Sequence, residues 1–112
     1  MFRTNSNKGF FMEFENGFGI SVQWGTMNYC SAKNLESGIM TEMIGNSKEF
    51  RNAWESNTAE IAVFNKEGEF IGIADDAVVG WLTTDKVAKC ITVVQSATTK
   101  EEIETKIKAL NL

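Results

Sequence analysis

Two runs near the start of the chain alternate apolar and polar residues at the period of a β-strand. Phe10-Phe11-Met12-Glu13-Phe14 and Phe18 to Trp24 flank Asn16-Gly17, and Ile20, Val22 and Trp24 alternate with Gly19, Ser21 and Gln23. Successive side chains of a strand point to opposite faces, and Asn-Gly between two such runs signals a hairpin. Loop length decides the register. A two-residue loop would put Phe10, Met12 and Phe14 on the face of Gly19, Ser21 and Gln23. A three-residue loop of Glu15, Asn16 and Gly17 instead pairs Phe14 with Phe18, Met12 with Ile20 and Phe10 with Val22. The three-residue loop gathers the apolar residues on one face and predicts a left-handed Gly17 in a bulge.

The pattern returns at Ala59 to Asn65 and Glu69 to Ile73, around Lys66-Glu67-Gly68. The same device predicts Phe64 opposite Phe70, Val63 opposite Ile71 and Ile61 opposite Ile73, with Ile61, Val63, Ile71 and Ile73 on one face. The period then lengthens. Val87, Cys90, Ile91 and Val94 recur at helical spacing after a capping Thr84 and Asp85, and Ile103, Ile107 and Leu110 follow Thr98-Thr99 in a second helix. Residues 1–8 are polar and read as a loose arm, and residues 25–57 read as a long insert between the hairpins. Within the insert, Ser47 to Trp54 reads as a helix, while Ile39, Met40, Met43 and Ile44 need burial that a homo-oligomer interface would supply. The predicted fold is α+β: one domain, with a four-stranded antiparallel sheet of two β-hairpins and C-terminal helices packed on one side.

Composition narrows the chemistry. The chain has 112 residues, of which 11 are basic and 15 acidic, for a net charge of −4. Such a balance argues against polymeric nucleic acid, whose binding rests on phosphate neutralisation. Histidine is absent, which excludes Ser-His-Asp, Cys-His and His-metal sites. No secretory leader and no membrane-spanning apolar run is visible, so a cytoplasmic protein with reduced Cys30 and Cys90 is expected. Any enzyme would work with carboxylates, lysine, tyrosine or a lone thiol. A non-enzymatic protein without metal or cofactor is the expectation.

Candidate binding residues cluster where the second strand ends. Trp24 closes an alternating run and reads first as core. Asn28 and Tyr29 have no periodic partner. An aromatic face beside an amide suits a nucleobase or another planar ligand, because the ring stacks and the amide bonds an edge; the plainer reading is a turn that plugs the sheet end. Cys30 has no histidine to activate it and reads as a small buried hydrophobe, as does Cys90. Arg3 and Arg51 are the chain's two guanidinium groups and the candidates for phosphate. Asp75-Asp76 could hold a divalent cation or ribose hydroxyls, with a polar turn as the plainer reading. Trp81 reads as a pocket wall or a core plug.

At Asn16-Gly17, Ser21-Val22-Gln23-Trp24-Gly25, Asn28-Tyr29-Cys30, Asn57 to Ala62 and Gly80-Trp81, the chain resembles a set of small phage-encoded proteins carrying an NG-x-x-ISVQWG-x-x-NYC pattern. The resemblance covers about Lys8 to Ile91. Where the set often has a Gly-Pro-Gly-like turn before Asn-Tyr-Cys, this chain reads Gly25-Thr26-Met27. The resemblance implies no catalytic residues. By class analogy it implies action in the host cytoplasm by binding, including capture of immune signals such as cyclic oligonucleotides or ADP-ribose derivatives. The leading expectation is thus an anti-defence sponge for a nucleotide-type ligand, working as a homo-oligomer, with Trp24, Asn28, Tyr29, Trp81, Asp76, Arg51 and Arg3 as contacts. The alternatives are a protein-interaction module using the Ile39-Met40-Met43-Ile44 patch, and a metal-assisted phosphodiesterase using Asp75 and Asp76.

Overall fold

The computed structural model describes residues 1–4, 8–25, 27–32, 55–73 and 76–112. Among them, six strands build one antiparallel sheet: β1 (Phe2–Thr4), β2 (Gly9–Glu13), β3 (Gly19–Gln23), β4 (Ala59–Phe64), β5 (Phe70–Ile71) and β6 (Val78–Leu82). Two helices follow, α1 (Thr84–Ser96) and α2 (Lys100–Ala109). The α+β class is as the pattern predicts, but the sheet has two more strands than the four expected. Phe2–Thr4, expected in the loose arm, pair with β2, and Val78–Leu82 pair with β4.

The first hairpin has the three-residue loop. Met12 faces Ile20, Phe10 faces Val22, and the Phe14 N–H donates to the Phe18 carbonyl at 2.9 Å. Gly17 has φ +89°, and a Cβ there would lie 2.6 Å from Lys66 Cγ. Gly17→Val is therefore expected to cost about 3 kcal/mol, because a β-branched residue resists positive φ and the space is taken. A thermal melt checks this; an unchanged midpoint would contradict the register.

The second hairpin departs from its predicted register after two pairs. Phe64 faces Phe70 and Val63 faces Ile71, but Ile61 faces Val79 rather than Ile73. Ile73 instead bridges Asp76. The chain leaves the edge of β4 after Ile71 and returns at Val78 to pair with Ala62, so β5 and β6 share one edge of β4. Ile73 still reaches the core, where it is fully buried.

One face of the sheet makes that core. Ile20, Val22, Ile61, Val63, Ile71 and Leu82 meet Val87, Cys90 and Val94 of α1 and Ile103 and Ile107 of α2. Each such aliphatic side chain contributes about 1.5–3 kcal/mol on leaving water. The caps are local. The Thr83 hydroxyl, one residue before the predicted Thr84, accepts from the Lys86 N–H at 3.4 Å, and the Thr99 hydroxyl accepts from the Glu102 N–H at 3.1 Å. The Glu102 carboxylate accepts from Lys106 Nζ at 2.7 Å and from the Thr98 N–H at 2.8 Å, and these bonds lower its pKa to about 2.

Both cysteines are free and buried, and burial pushes the Cys90 thiol up to about 11. The thiolate is the reactive form, so Cys90 is inert in the folded chain. A chromogenic disulfide reagent at neutral pH is expected to leave both thiols of the native protein unmodified and to label both in denaturant. Rapid labelling of the native protein would contradict the packing.

Candidate functional site

Most of the described residues singled out from the sequence fall in three regions. The first is the exit of β3. The Gly25 N–H donates to Asn28 Oδ1 at 2.9 Å, and the Asn28 N–H donates back to the Gly25 carbonyl at 3.0 Å, closing a turn. Asn28 Nδ2 then donates to Glu60 Oε1 at 3.3 Å, and the Tyr29 N–H donates to Glu60 Oε2 at 2.9 Å. Ser31 N–H donates to the Thr58 hydroxyl at 2.8 Å. Cys30, fully buried, points its sulfur at the Gly25 carbonyl at 3.5 Å. The loop is thus fastened onto β4: the oxygen of the Asn28 amide closes the turn and its nitrogen reaches Glu60.

Trp81 is brought to the same place. Between Ala59 and Ile61 the β4–β6 ladder shifts register, so Gly80 and Trp81 together oppose Glu60. Such a bulge bends the strand and re-aims a side chain. The Trp81 N–H donates to the Tyr29 carbonyl at 2.8 Å, and Trp81 has φ +59°, an uncommon state for a bulky residue. Trp81 is 54% exposed, and on the loop it binds Tyr29 is 51% and Met27 87% exposed. Asn28, Tyr29 and Trp81 therefore form one cluster, as a group of the predicted contacts.

Trp24 belongs to a second region, on the core face. Its ring meets Phe10 edge-on at 6.1 Å between centroids. Both border a cavity of about 410 Å³ between the sheet and α1, with Val22, Leu82, Val87 and Ile91 as further walls and Ser56, Asn57 and Thr58 at its polar side.

The third region is the sheet face opposite the helices. Register and alternation put Arg3, Phe11, Ser21, Gln23, Ala62, Phe64 and Phe70 there. The Phe11 and Phe64 rings meet edge-on at 5.6 Å, and Phe64 meets Phe70 at 4.7 Å. The Arg3 guanidinium lies 4.7 Å above the Phe11 ring, a cation–π contact. Gln23 Nε2 donates to the Ser21 hydroxyl at 3.0 Å. Arg3, Phe11, Ser21, Gln23 and Phe64 border one open concavity of about 460 Å³.

Among the remaining predicted contacts, Asp76 accepts the Ala77 N–H on its own Oδ1 at 2.8 Å. Arg51, Asp75 and the Ile39-Met40-Met43-Ile44 patch lie outside the described residues. Among the described residues, no group of three or more His, Cys, Asp or Glu is placed to hold a metal ion. Among them, too, no helix is long and apolar enough to cross a membrane.

Sequence reasoning passed over Phe11, Gln23, Phe64 and Glu60. Their signal was present: each stands on the non-core parity of its strand, and an aromatic residue on a half-exposed face is the informative departure from alternation. No protein-family model, curated protein or solved structure matches the chain.

Proposed function

We propose that the protein binds a small, planar, negatively charged ligand of nucleotide type on the open face of its sheet, and releases it chemically unchanged. The observation that carries this reading is the convergence of Arg3, Phe11, Ser21, Gln23 and Phe64 on one concavity. Aromatic rings offer a stacking surface to any base. A side-chain amide and a hydroxyl can bond a base edge or a sugar hydroxyl. A guanidinium matches the fork of a phosphate. Arg3 was the only predicted phosphate contact among the described residues, and it stands over the Phe11 ring. Stacking platform, edge-reading amide and phosphate fork thus meet within one small surface.

In the phage setting that the sequence pattern implies, binding without turnover would act as sequestration. A homo-oligomer belongs to the same proposal: among the described residues β1 is at the edge of the sheet, and its Phe2 is 82% exposed, which suits pairing with a second copy.

The test is native mass spectrometry of the protein with a panel of cyclic and linear nucleotides, followed by calorimetry on any ligand retained. Base stacking is worth about 1–3 kcal/mol, so Phe11→Leu, which keeps bulk but loses the flat ring, is expected to weaken binding roughly five- to a hundredfold. Arg3→Gln is expected to weaken it about tenfold and to flatten its salt dependence. Unchanged affinity in both variants would reject the site. A ligand returned with altered mass would reject the non-enzymatic reading.

A further inference from the structure

Asn16 does more than turn the first hairpin. Its Nδ2 donates to the carbonyls of Val94 at 2.8 Å and Ala97 at 2.8 Å, and lies 3.2 Å from that of Gln95. These are carbonyls at the C-terminal end of α1, which have no partner within the helix and carry its partial negative charge. The last turn of α1 has no basic side chain. A neutral amide from a distant turn therefore caps the helix. The other end of the same amide, Oδ1, accepts from the Phe18 N–H at 3.0 Å. The next residue is Gly17, whose N–H donates to the Phe14 carbonyl at 2.9 Å.

Asn16-Gly17 is the only Asn-Gly pair in the chain. In a mobile peptide this pair is chemically unstable, because glycine has no side chain to hinder its nitrogen from reaching the neighbouring amide carbon. We propose that Asn16 is a covalent self-modification site that folding holds silent, and that its conversion makes unfolding irreversible. The Gly17 nitrogen attacks Asn16 Cγ. The N–Cγ bond forms, the Cγ–Nδ2 bond breaks, and Nδ2 leaves as ammonia with the proton from Gly17. Water then opens the succinimide at either carbonyl, giving aspartate or isoaspartate.

The fold opposes the first step at three atoms. Gly17 N–H is engaged with Phe14, Nδ2 is held by the α1 carbonyls, and Oδ1 is held by Phe18. Once conversion occurs, the product no longer fits. A carboxylate has no proton to donate, and it would face two carbonyl oxygens at the negative end of a helix. Isoaspartate also lengthens the backbone inside a turn whose three-residue length sets the register of β2 and β3. A chain converted to aspartate therefore loses the cap, and one converted to isoaspartate loses both the cap and the hairpin on which the sheet is built.

The experiment ages wild-type protein in mildly alkaline buffer, with and without denaturant, and follows Asn16 by peptide mass mapping and isoaspartate assay. Because conversion must wait for opening of the turn, it is expected at least about tenfold more slowly in the folded protein than in the unfolded chain. After dilution from denaturant, the converted fraction is expected to be missing from the refolded pool. Asn16→Asp, produced by expression, is expected to melt well below wild type or to fail to fold. Equal rates of conversion in the two conditions would overturn protection by the fold. Asn16→Asp melting like wild type, or aged protein refolding in full while converted, would overturn the irreversible loss.

Discussion

Gly80→Val is expected to destabilise the protein by about 3 kcal/mol and to free the loop after β3 from the sheet. A Cβ at Gly80 would lie 2.4 Å from Tyr29 Cβ and 2.7 Å from the Tyr29 carbonyl oxygen. The second of these is backbone, and it already accepts the Trp81 N–H at 2.8 Å. The loop cannot yield there without giving up that bond, and the two bonds to Glu60 hold it from the other side. Either the bulge at Gly80 and Trp81 straightens or the loop lifts. Urea denaturation measures the energy, and hydrogen exchange at the Trp81 amide reports the local event. Gly80→Ala is expected to show the same effect at smaller size. If Gly80→Val kept its midpoint and its Trp81 amide stayed protected, the docking of Tyr29 on the bulge would be wrong.

Ile61→Ala is expected to cost about 4 kcal/mol, near the upper part of the range for emptying a buried aliphatic site. Ile61 is fully buried in β4, between Val22 of β3 and Val79 of β6, and α1 covers its face. Little around it can collapse, because ladders hold both neighbouring strands. Domains of this size have about 5–15 kcal/mol in total, so the variant is expected to retain a fraction of that and to melt roughly 15 °C lower. Ile61→Val, which removes one methyl group, is expected to cost about 1 kcal/mol. A loss below that value for the alanine variant would mean that the core face of β4 is more plastic than its packing implies.

These variants probe two kinds of position, and the difference separates what periodicity reveals from what it hides. Ile61 follows from alternation alone. Glu60, Gly80 and Trp81 do not, since their roles depend on a bulge opposite a carboxylate that a distant loop has claimed. Alternation breaks at Val78-Val79-Gly80-Trp81-Leu82, so β6 had no clear period-two signature. β1 was hidden for another reason: a three-residue edge strand draws its pairing from β2 and needs little pattern of its own.

The candidate site divides in the same way. The sequence pointed to a planar ligand held by an aromatic ring, an amide and an arginine. In the fold, Trp24 turns to the core face, Asn28 fastens a turn, and Tyr29 and Trp81 stand together at the bulge. Arg3 instead lies over Phe11 and shares one concavity with Phe64 and Gln23, three residues on strand positions that faced away from the predicted core. Residues far apart in sequence became neighbours because strands stack at fixed spacing once the register is set.

By itself the sequence determined the α+β class, the first hairpin with its left-handed Gly17, two residue pairs of the second, both helices with their caps to within one residue, and the inward face of each main strand. These rest on local physics: side-chain period, turn conformation and hydrogen bonds within a few residues. Tertiary structure alone decided that Asn16 caps α1, that Glu60 holds the Asn28-Tyr29 loop, that β6 returns to the edge of β4, and that Arg3 lies over Phe11. Each of these joins groups separated by many residues, and such contacts are set by how the sheet closes and where its helices pack, quantities that no short window of sequence contains.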